Sequence, residues 1–250
     1  MNVFKPLAVV LSMACAAGAA SSAWAQTLKV GSTPTSVPFS FLDPKTNTIN
    51  GLMVDIVTEV AKEAGYEVEI TPIIFASLIP SLTSKKIDVI AAAMFATDAR
   101  REVINFTDTV YGYGEALFVP KADTKEYVSF EDLKGEVVGG QIGTTYISAL
   151  QRTGLFAEVK PYETIPDMIR DVNAGRIKAG FADYPIVAHN LAQGRFPDTR
   201  IVESYKPTLH GAIGIGLRKD DAERLEKFNA AIAKLKAEGR FDAIVKKWGL

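Results

Sequence analysis

The chain has 250 residues, of which 48% are hydrophobic and 23% are charged, with a formal net charge of −1. A chain of this length can bury most of its apolar surface in one or two hydrophobic cores. The near-neutral charge and the lack of a basic run exclude a surface built for nucleic acid or another polyanion. The sequence also lacks internal repeats and low-complexity segments, which excludes fibrous and repeat architectures.

Residues 1–25 have the features of a cleaved secretion signal. Lys5 gives a basic start, the apolar run that follows is too short for a stable membrane span, and residues 23–25 have the small-x-small pattern that signal peptidase cleaves. We therefore predict that the mature chain begins at Gln26 and resides in the periplasm. Cys15 is the only cysteine and leaves with the signal, so we predict a mature protein without disulfides.

From Leu28 onward, short apolar strands alternate with amphipathic helices, which is the pattern of a parallel α/β sheet. Apolar residues at helical spacing predict a first helix that begins at Leu52 and ends before Gly65. The other elements predicted in this half are strands at residues 28–31, 68–74 and 87–93 and a helix at residues 78–83.

The same alternation restarts after residue 115. Predicted strands are residues 116–119, 137–140, 177–183 and 212–217, and predicted helices are residues 130–135, 143–150, 165–174, 220–236 and 240–248. Glycine-containing segments at 112–114 and near Gly211 join the two α/β units. We therefore predict two lobes, each a mainly parallel sheet flanked by helices, with a ligand cleft between them. The first lobe comprises residues 26–114 and 211–250, and the second, inserted lobe comprises residues 115–210.

Two oppositely charged residues indicate the chemistry of the cleft. Arg100 comes shortly after the strand predicted at 87–93, and Asp183 closes the strand predicted at 177–183. Ligands bind α/β sheets outside the carboxyl ends of strands, so we expect both side chains at the cleft. A guanidinium and a carboxylate that face each other can hold a zwitterion by its two charged groups. The alternatives are that Arg100 is a solvated helix residue and that Asp183 only caps the next helix.

Eight short motifs follow one another in an order known from one family. They are TSVPF at 35–39, GLMVD at 51–55, LIPSL at 78–82, KID at 86–88, TDARR at 97–101, NFTD at 105–108, GTT at 143–145 and AGRIKA at 174–179. With these motifs, the chain resembles the extracytoplasmic solute-binding proteins, family 3, of amino-acid ABC transporters, from Leu28 to Trp248. The resemblance implies a type II periplasmic binding protein fold, capture of an amino acid by lobe closure, and delivery to a membrane permease.

The resemblance also assigns roles to site residues. It implies that Arg100 binds the ligand α-carboxylate, for which a planar fork of donors is well suited. It implies that Asp183 takes the α-ammonium group. Main-chain N–H groups of Thr144 and Thr145 would add donors at a helix N-terminus, unless these residues serve only as caps. Phe75 is expected to form an apolar wall of the pocket, with the alternative that Phe75, Phe95 and Tyr111 are core residues.

Departures from the family pattern bear on the identity of the ligand. Relatives that bind cationic amino acids carry Asp where Thr33 and Met53 stand here. Burying a cationic side chain without a partner charge is costly, so we expect a neutral amino acid. Ser36 stands where the family has an aromatic platform. The family's Ser-Ser-x-Ser run is replaced by a segment that contains Ala93 and Phe95, which leaves main-chain groups but no hydroxyls near the ligand.

The sequence carries no signature of catalysis or of a cofactor. His189 and His210 lack metal-ligand spacing, and there is no nucleophile elbow, phosphate-binding loop or dinucleotide fingerprint. We predict a monomer without metal, cofactor or catalytic residues, whose partners are an amino acid or derivative and an ABC permease.

Two other functions stay open. One is a cyclohexadienyl or arogenate dehydratase, for which Glu115 and His210 are only distant candidates as general acid. The other is a sensor that docks onto a separate receptor. Glu115 is otherwise interpreted as a surface or hinge-flanking charge.

Overall fold

A computed structural model describes residues 26–250, and the predicted signal segment lies outside these residues. The strands are β1 (Gln26–Ser32), β2 (Thr35–Ser36), β3 (Ser40–Asp43), β4 (Thr48–Asn50), β5 (Tyr66–Pro72), β6 (Val89–Ile90), β7 (Ile104–Phe106), β8 (Tyr111–Pro120), β9 (Val137–Gln141), β10 (Glu158–Tyr162), β11 (Ala179–Asp183), β12 (Thr199–Ile201), β13 (His210–Ile213) and β14 (Gly216–Arg218). The helices are α1 (Leu52–Glu63), α2 (Leu78–Thr83), α3 (Asp98–Val103), α4 (Thr145–Thr153), α5 (Ile165–Asn173), α6 (Tyr184–Ala192), α7 (Ala222–Ala237) and α8 (Arg240–Lys247), with 3-10 turns at Phe75–Ser77 and Phe130–Leu133. Within residues 26–250, no helix combines the length and the apolar character needed to cross a membrane.

The first lobe is built on a five-stranded sheet with the order β5-β1-β6-β14-β7. Strands β5, β1 and β6 run parallel, and β14 and β7 run antiparallel to their neighbours. Leu28 and Val30 of β1 are fully buried, as the apolar pattern of this strand predicts. A small antiparallel sheet, β2-β3-β4, lies between β1 and α1 in the chain.

Helix α1 forms because its apolar residues recur at helical spacing and make one buried stripe. The residues of this stripe are Leu52, Met53, Val54, Ile56, Val57, Val60 and Ala61. Fully burying one large aliphatic side chain of this kind contributes about 1.5–3 kcal/mol. The helix ends where Gly65 adopts a φ of +85° and its N–H group bonds to the carbonyl of Lys62, as predicted.

The second lobe is built on the strands β10-β9-β11-β8-β12. Strands β10, β9 and β11 run parallel, and β8 runs antiparallel to both β11 and β12. In each of these two sheets, only one of the strands named in the order is reversed, β14 in the first lobe and β8 in the second, which confirms the predicted mainly parallel sheets. The reversed strands β8 and β14 belong to segments that pass between the lobes, outside the strand-helix-strand repeats.

Strands β8 and β13 carry the chain between the two sheets as an antiparallel pair. Gly112 lies opposite Ala212, and Gly114 lies opposite His210. The single strand predicted at 212–217 is in fact two strands, because Ile213 pairs with the crossing strand while Gly216 pairs with the first sheet. The predicted limits of the lobes fall within this crossing and stay a prediction.

Candidate functional site

Arg100 lies in the first turn of α3 and reaches both lobes. The helix begins after Thr97, whose side chain accepts a hydrogen bond from the Arg100 N–H at 3.3 Å. The Arg100 side chain turns back, and its Nη1 donates to the carbonyl of Phe95 at 2.7 Å. Its Nη2 donates to the carbonyl of Gly143 in the second lobe at 2.8 Å. The guanidinium therefore bridges the two lobes, which rules out a purely solvated role.

The contact between the lobes is tight at this point. The guanidinium carbon of Arg100 lies 5.6 Å from the centre of the Phe75 ring, as in a cation–π contact. Gly143 has a φ of +81°, and a Cβ atom placed on it would lie 3.0 Å from the Cα atom of Ala76. A glycine at this position meets both the backbone conformation and the close approach of the lobes.

Asp183 ends β11 and is buried, with only 8% of its surface exposed. It occupies the N-cap position of α6, yet its side chain makes no capping hydrogen bond. The carboxylate instead accepts a hydrogen bond from the Tyr146 hydroxyl at 2.7 Å. Asp183 therefore has the position of a cap without its usual contact, and its carboxylate is instead held by the Tyr146 hydroxyl.

Burial and charge have opposite effects on the pKa values of Asp183 and Arg100. Burial raises the pKa of Asp183 to about 6, although hydrogen bonds from Tyr146 and Tyr113 and the charge of Arg100 oppose the rise. Burial likewise lowers the pKa of Arg100, and the charge of Asp183 opposes that change. An Arg pKa starts so high that the guanidinium stays charged. Above about pH 6, the site therefore holds one cation and one anion close enough to interact.

Aromatic rings fill the space beside these charges. The Phe95 ring lies 4.8 Å from the ring of Tyr113 and 5.8 Å, edge to face, from that of Tyr146 in the second lobe. The Tyr113 ring also lies 5.3 Å from Phe39. The Tyr113 hydroxyl donates to the carbonyl of Ala93 at 2.7 Å. Among the predicted pocket residues, the structure thus brings Phe95 and Ala93 into one aromatic cluster with Tyr113 and Tyr146.

Three of the predicted pocket residues, Thr33, Ser36 and Met53, are buried. The Thr33 hydroxyl bonds to that of Ser36 at 3.0 Å and to that of Ser40 at 2.7 Å, so these hydroxyls are satisfied within the chain. Thr33 is 1% exposed and Ser36 is 4% exposed. Met53 belongs to the buried stripe of α1 and is fully buried in the hydrophobic core. None of the three supplies a negative charge.

The turn before α4 has a different hydrogen bond from the one that capping predicts. Thr144 is the N-cap residue, but its hydroxyl donates to the carbonyl of Gln141 at 2.6 Å and makes no capping bond. Thr145 is the first residue of the helix and is partly buried. The N–H groups of this first turn have no carbonyl partners within the helix, as at any helix start.

The interpretation of Glu115 as a surface charge is wrong, because the residue is completely buried, although it does lie directly beside the β8–β13 crossing. One carboxylate oxygen accepts from the Tyr205 hydroxyl at 2.8 Å and from the Thr208 N–H at 2.8 Å, and the other accepts from the Leu209 N–H at 2.9 Å. These donors compensate for the loss of hydration. Glu115 lies opposite Asp183 in the β8–β11 pair and ties the returning chain to β8.

Sequence reasoning did not find Tyr113, Tyr146 or the carbonyl of Gly143. Two local signals pointed to them. Tyr146 directly follows the GTT motif, and Tyr113 lies between two glycines in a predicted crossing segment. Neither signal specifies that the side chain faces the cleft, because that depends on how the lobes meet.

Comparison with known proteins identifies the family of the chain. Residues 28–250 match the family described as bacterial extracellular solute-binding proteins, family 3. The histidine-binding periplasmic protein of Escherichia coli K12 is 31% identical over 98% of this chain and 96% of its own. An ancestral arginine-binding protein bound to arginine has a TM-score of 0.81 at 32% identity, over 89% of this chain and 97% of its own.

A second similar structure is that of a binding protein described as the precursor of an enzyme. It is the ancestral amino acid-binding protein AncCDT-1, a precursor of cyclohexadienyl dehydratase, with a TM-score of 0.79 at 29% identity, over 89% of this chain and 95% of its own. The similarity to binding proteins spans nearly the whole described chain in sequence and in structure. The chain belongs to the bacterial extracellular solute-binding proteins, family 3.

Proposed function

We propose that this chain is the periplasmic substrate-binding component of an ABC importer and that it captures a neutral amino acid. One observation carries the proposal: Arg100 of the first lobe bonds to Gly143 of the second, and its charge interacts with the buried carboxylate of Asp183. The names of similar proteins, which include an ABC transporter arginine-binding protein and a histidine-binding periplasmic protein, support the general role.

Capture follows from the chemistry of the two charged groups. The guanidinium of Arg100 keeps donors beyond the two it uses for Phe95 and Gly143, and these donors suit an α-carboxylate. The helix α4 begins two residues after Gly143, and the free N–H groups of its first turn add partial positive charge there. Asp183 supplies the anion for an α-ammonium group. Because these groups come from both lobes, a zwitterion stabilises the closed arrangement, and the permease receives the closed form.

The preference for a neutral ligand rests on where negative charge is available. Asp183 is reserved for the ammonium group, and the oxygens of Glu115 are already occupied by donors of the chain. Thr33 and Met53 are uncharged. A ligand with a cationic side chain would therefore bury its charge without a counter-ion. Several similar proteins are named for histidine, arginine or lysine, so we place this chain apart from them in side-chain preference only.

We also propose that the chain binds without turnover. Dehydration requires a general acid placed at the leaving hydroxyl group. Glu115 is unsuited to that task because it is completely buried and both of its oxygens already accept hydrogen bonds from the chain. His210 is exposed at the crossing strand β13. Incubation with prephenate and with arogenate tests this point, since product formation would establish an enzyme.

A thermal-shift panel tests the proposed function. Ligand-stripped mature protein is heated with each amino acid, with small carboxylates and with prephenate. A ligand present at a hundred times its Kd adds about 2.7 kcal/mol of stability, which a melting curve detects readily. We expect a clear shift with at least one neutral amino acid and none with arginine or lysine. A shift with arginine or lysine alone would contradict the neutral preference, and silence across all amino acids would contradict the function.

A double variant tests the residues behind the preference. Thr33→Asp combined with Met53→Asp should move binding towards arginine and lysine. Both positions are buried, so each carboxylate also lowers the stability of the ligand-free protein. Thr33→Asn with Met53→Leu is the matched uncharged control. No gain of cationic binding in a folded double variant would show that these two positions do not line the side-chain pocket.

A further inference from the structure

Two tyrosine hydroxyls donate hydrogen bonds to acceptors in this site. Tyr146 donates to a carboxylate oxygen of Asp183 at 2.7 Å, and Tyr113 donates to the carbonyl of Ala93 at 2.7 Å. The rings of both tyrosines pack against Phe95, which fixes the direction of each hydroxyl. The two phenols come from different elements, α4 and β8, and converge only in the folded chain.

Each phenol acts as a neutral donor under physiological conditions. Burial and the nearby charge of Asp183 raise the pKa of both Tyr113 and Tyr146 well above the usual tyrosine value. The single proton of Tyr146 goes to the Asp183 carboxylate. The Tyr113 hydroxyl also lies near that carboxylate, and its one proton can serve either Asp183 or Ala93. The oxygen of Tyr113 then still has lone pairs to accept a bond.

We propose that Tyr146 and Tyr113 are positioning residues of the ammonium subsite, which orient the Asp183 carboxylate and keep it ionised for the ligand. This inference rests on the proposed function. The charged or titratable groups that face Asp183 are Arg100 from α3, Tyr146 from α4, and Tyr113 and Glu115 from β8. Of these, Tyr146 donates to the carboxylate through a neutral group, and the Tyr113 hydroxyl lies near the carboxylate while it donates to Ala93.

The need for such donors follows from burial. A carboxylate removed from water tends to take up a proton, and a protonated carboxyl group no longer attracts an ammonium group. The pKa of Asp183 stands at about 6 with the phenols in place. Each hydrogen bond to the ionised form lowers a carboxyl pKa by about one unit. Without the Tyr146 hydroxyl, a large part of the population would therefore be neutral near pH 7.

The test is a carboxyl titration of the ligand-free protein, labelled with carbon-13 at aspartate and followed by NMR. Asp183→Asn assigns the signal, and Tyr184→Phe, at an exposed neighbour, is the matched control. We expect the Asp183 inflection to rise by about one pH unit in Tyr146→Phe and by a smaller step in Tyr113→Phe. The control should leave it unchanged. An Asp183 inflection that is the same in wild type and in both phenylalanine variants would overturn the proposal.

A binding measurement separates this proposal from the proposed function. With the amino acid that gives the largest shift in the thermal panel, the ratio of Kd at pH 6 to Kd at pH 8 should be greater in Tyr146→Phe than in wild type. A merely structural loss would weaken binding equally at both pH values, which would count against the proposal. If no amino acid binds, the proposed function fails, and the titration still decides whether the tyrosines control Asp183.

Discussion

Arg100 donates a hydrogen bond from Nη2 to the carbonyl oxygen of Gly143 at 2.8 Å, which joins the first lobe to the turn that opens α4. The same guanidinium also holds the carbonyl of Phe95. One side chain therefore contacts both walls of the region where we propose that the ligand binds. Under the proposed function, this group would couple lobe closure to recognition of the ligand carboxylate, because moving either wall changes its partners.

Replacing Arg100 with alanine should weaken amino-acid binding by about 2–5 kcal/mol, because a ligand carboxylate would be enclosed without its counter-ion. Isothermal titration calorimetry with the amino acid found in the thermal panel measures the loss. Arg101→Ala is the control, since Arg101 is exposed and its guanidinium faces the Phe106 ring. Wild-type affinity in Arg100→Ala would remove this residue from the site.

Gly143→Ala should hinder closure, because the added methyl group meets the backbone of Ala76 and the residue has a positive φ. We expect at least a tenfold loss of affinity, equivalent to about 1.4 kcal/mol. Gly154→Ala is the matched control: Gly154 also has a positive φ, but nothing lies within 4 Å of its Cβ position. The control separates backbone strain, about 1–2 kcal/mol of stability, from the contact between lobes. Equal affinity in the two variants would contradict the closure argument.

The sequence was sufficient for the main alternation of strands and helices, and it singled out Arg100 and Asp183 as candidates, but it missed α3, β10 and the small sheet β2-β3-β4. The sequence pointed to Arg100 and Asp183 because Arg100 comes shortly after an apolar strand and Asp183 closes another. In α/β proteins, ligands bind at such strand ends. The apolar stripe of α1 and its stop at Gly65 were equally clear, because both are local signals.

Features that depend on contacts between residues far apart in the chain could not be predicted from the sequence. Glu115 reads as a surface charge because its donors, Tyr205, Thr208 and Leu209, lie about ninety residues further along the chain. Tyr113 and Tyr146 were missed for the same reason, because their partners Ala93 and Asp183 lie elsewhere in the chain. The break between β13 and β14 was hidden because an apolar run continues through it while its pairing partner changes.

Asp183→Asn should stabilise the ligand-free protein at neutral and higher pH while it removes binding. The pKa of Asp183 is raised in the folded chain to about 6, so ionisation above that pH disfavours folding. The penalty is absent below the unfolded pKa, near 4, and grows as the pH rises to 6. We expect the variant to exceed wild type by about 2–3 kcal/mol at pH 8 and to match it near pH 4.

Urea unfolding at a series of pH values measures this difference. Because the other titrating groups are common to both proteins, the difference between the two curves isolates Asp183. A gap in stability that stays constant from pH 4 to pH 8 would show that the buried carboxylate has an ordinary pKa.

Glu115→Ala should lower the free energy of unfolding by about 2–4 kcal/mol, because it leaves buried donors of the returning chain without an acceptor. Urea unfolding monitored by circular dichroism gives the value. Glu126→Ala is the control, since that carboxylate is largely exposed and should change stability by less than about 1 kcal/mol. A loss at Glu115 no greater than the control's would contradict the role of this carboxylate in tying the crossing segment to β8.

The central claim is that one zwitterion is held by Arg100 and Asp183 together. Calorimetric titration with three matched molecules tests it most directly: the amino acid found in the panel, the same molecule without its amino group, and the same molecule without its carboxyl group. We predict one binding site for the amino acid and at least a hundredfold weaker binding, about 2.7 kcal/mol, for each truncated molecule. Equal affinity for the deaminated acid would contradict the role of Asp183, and equal affinity for the amine would contradict that of Arg100.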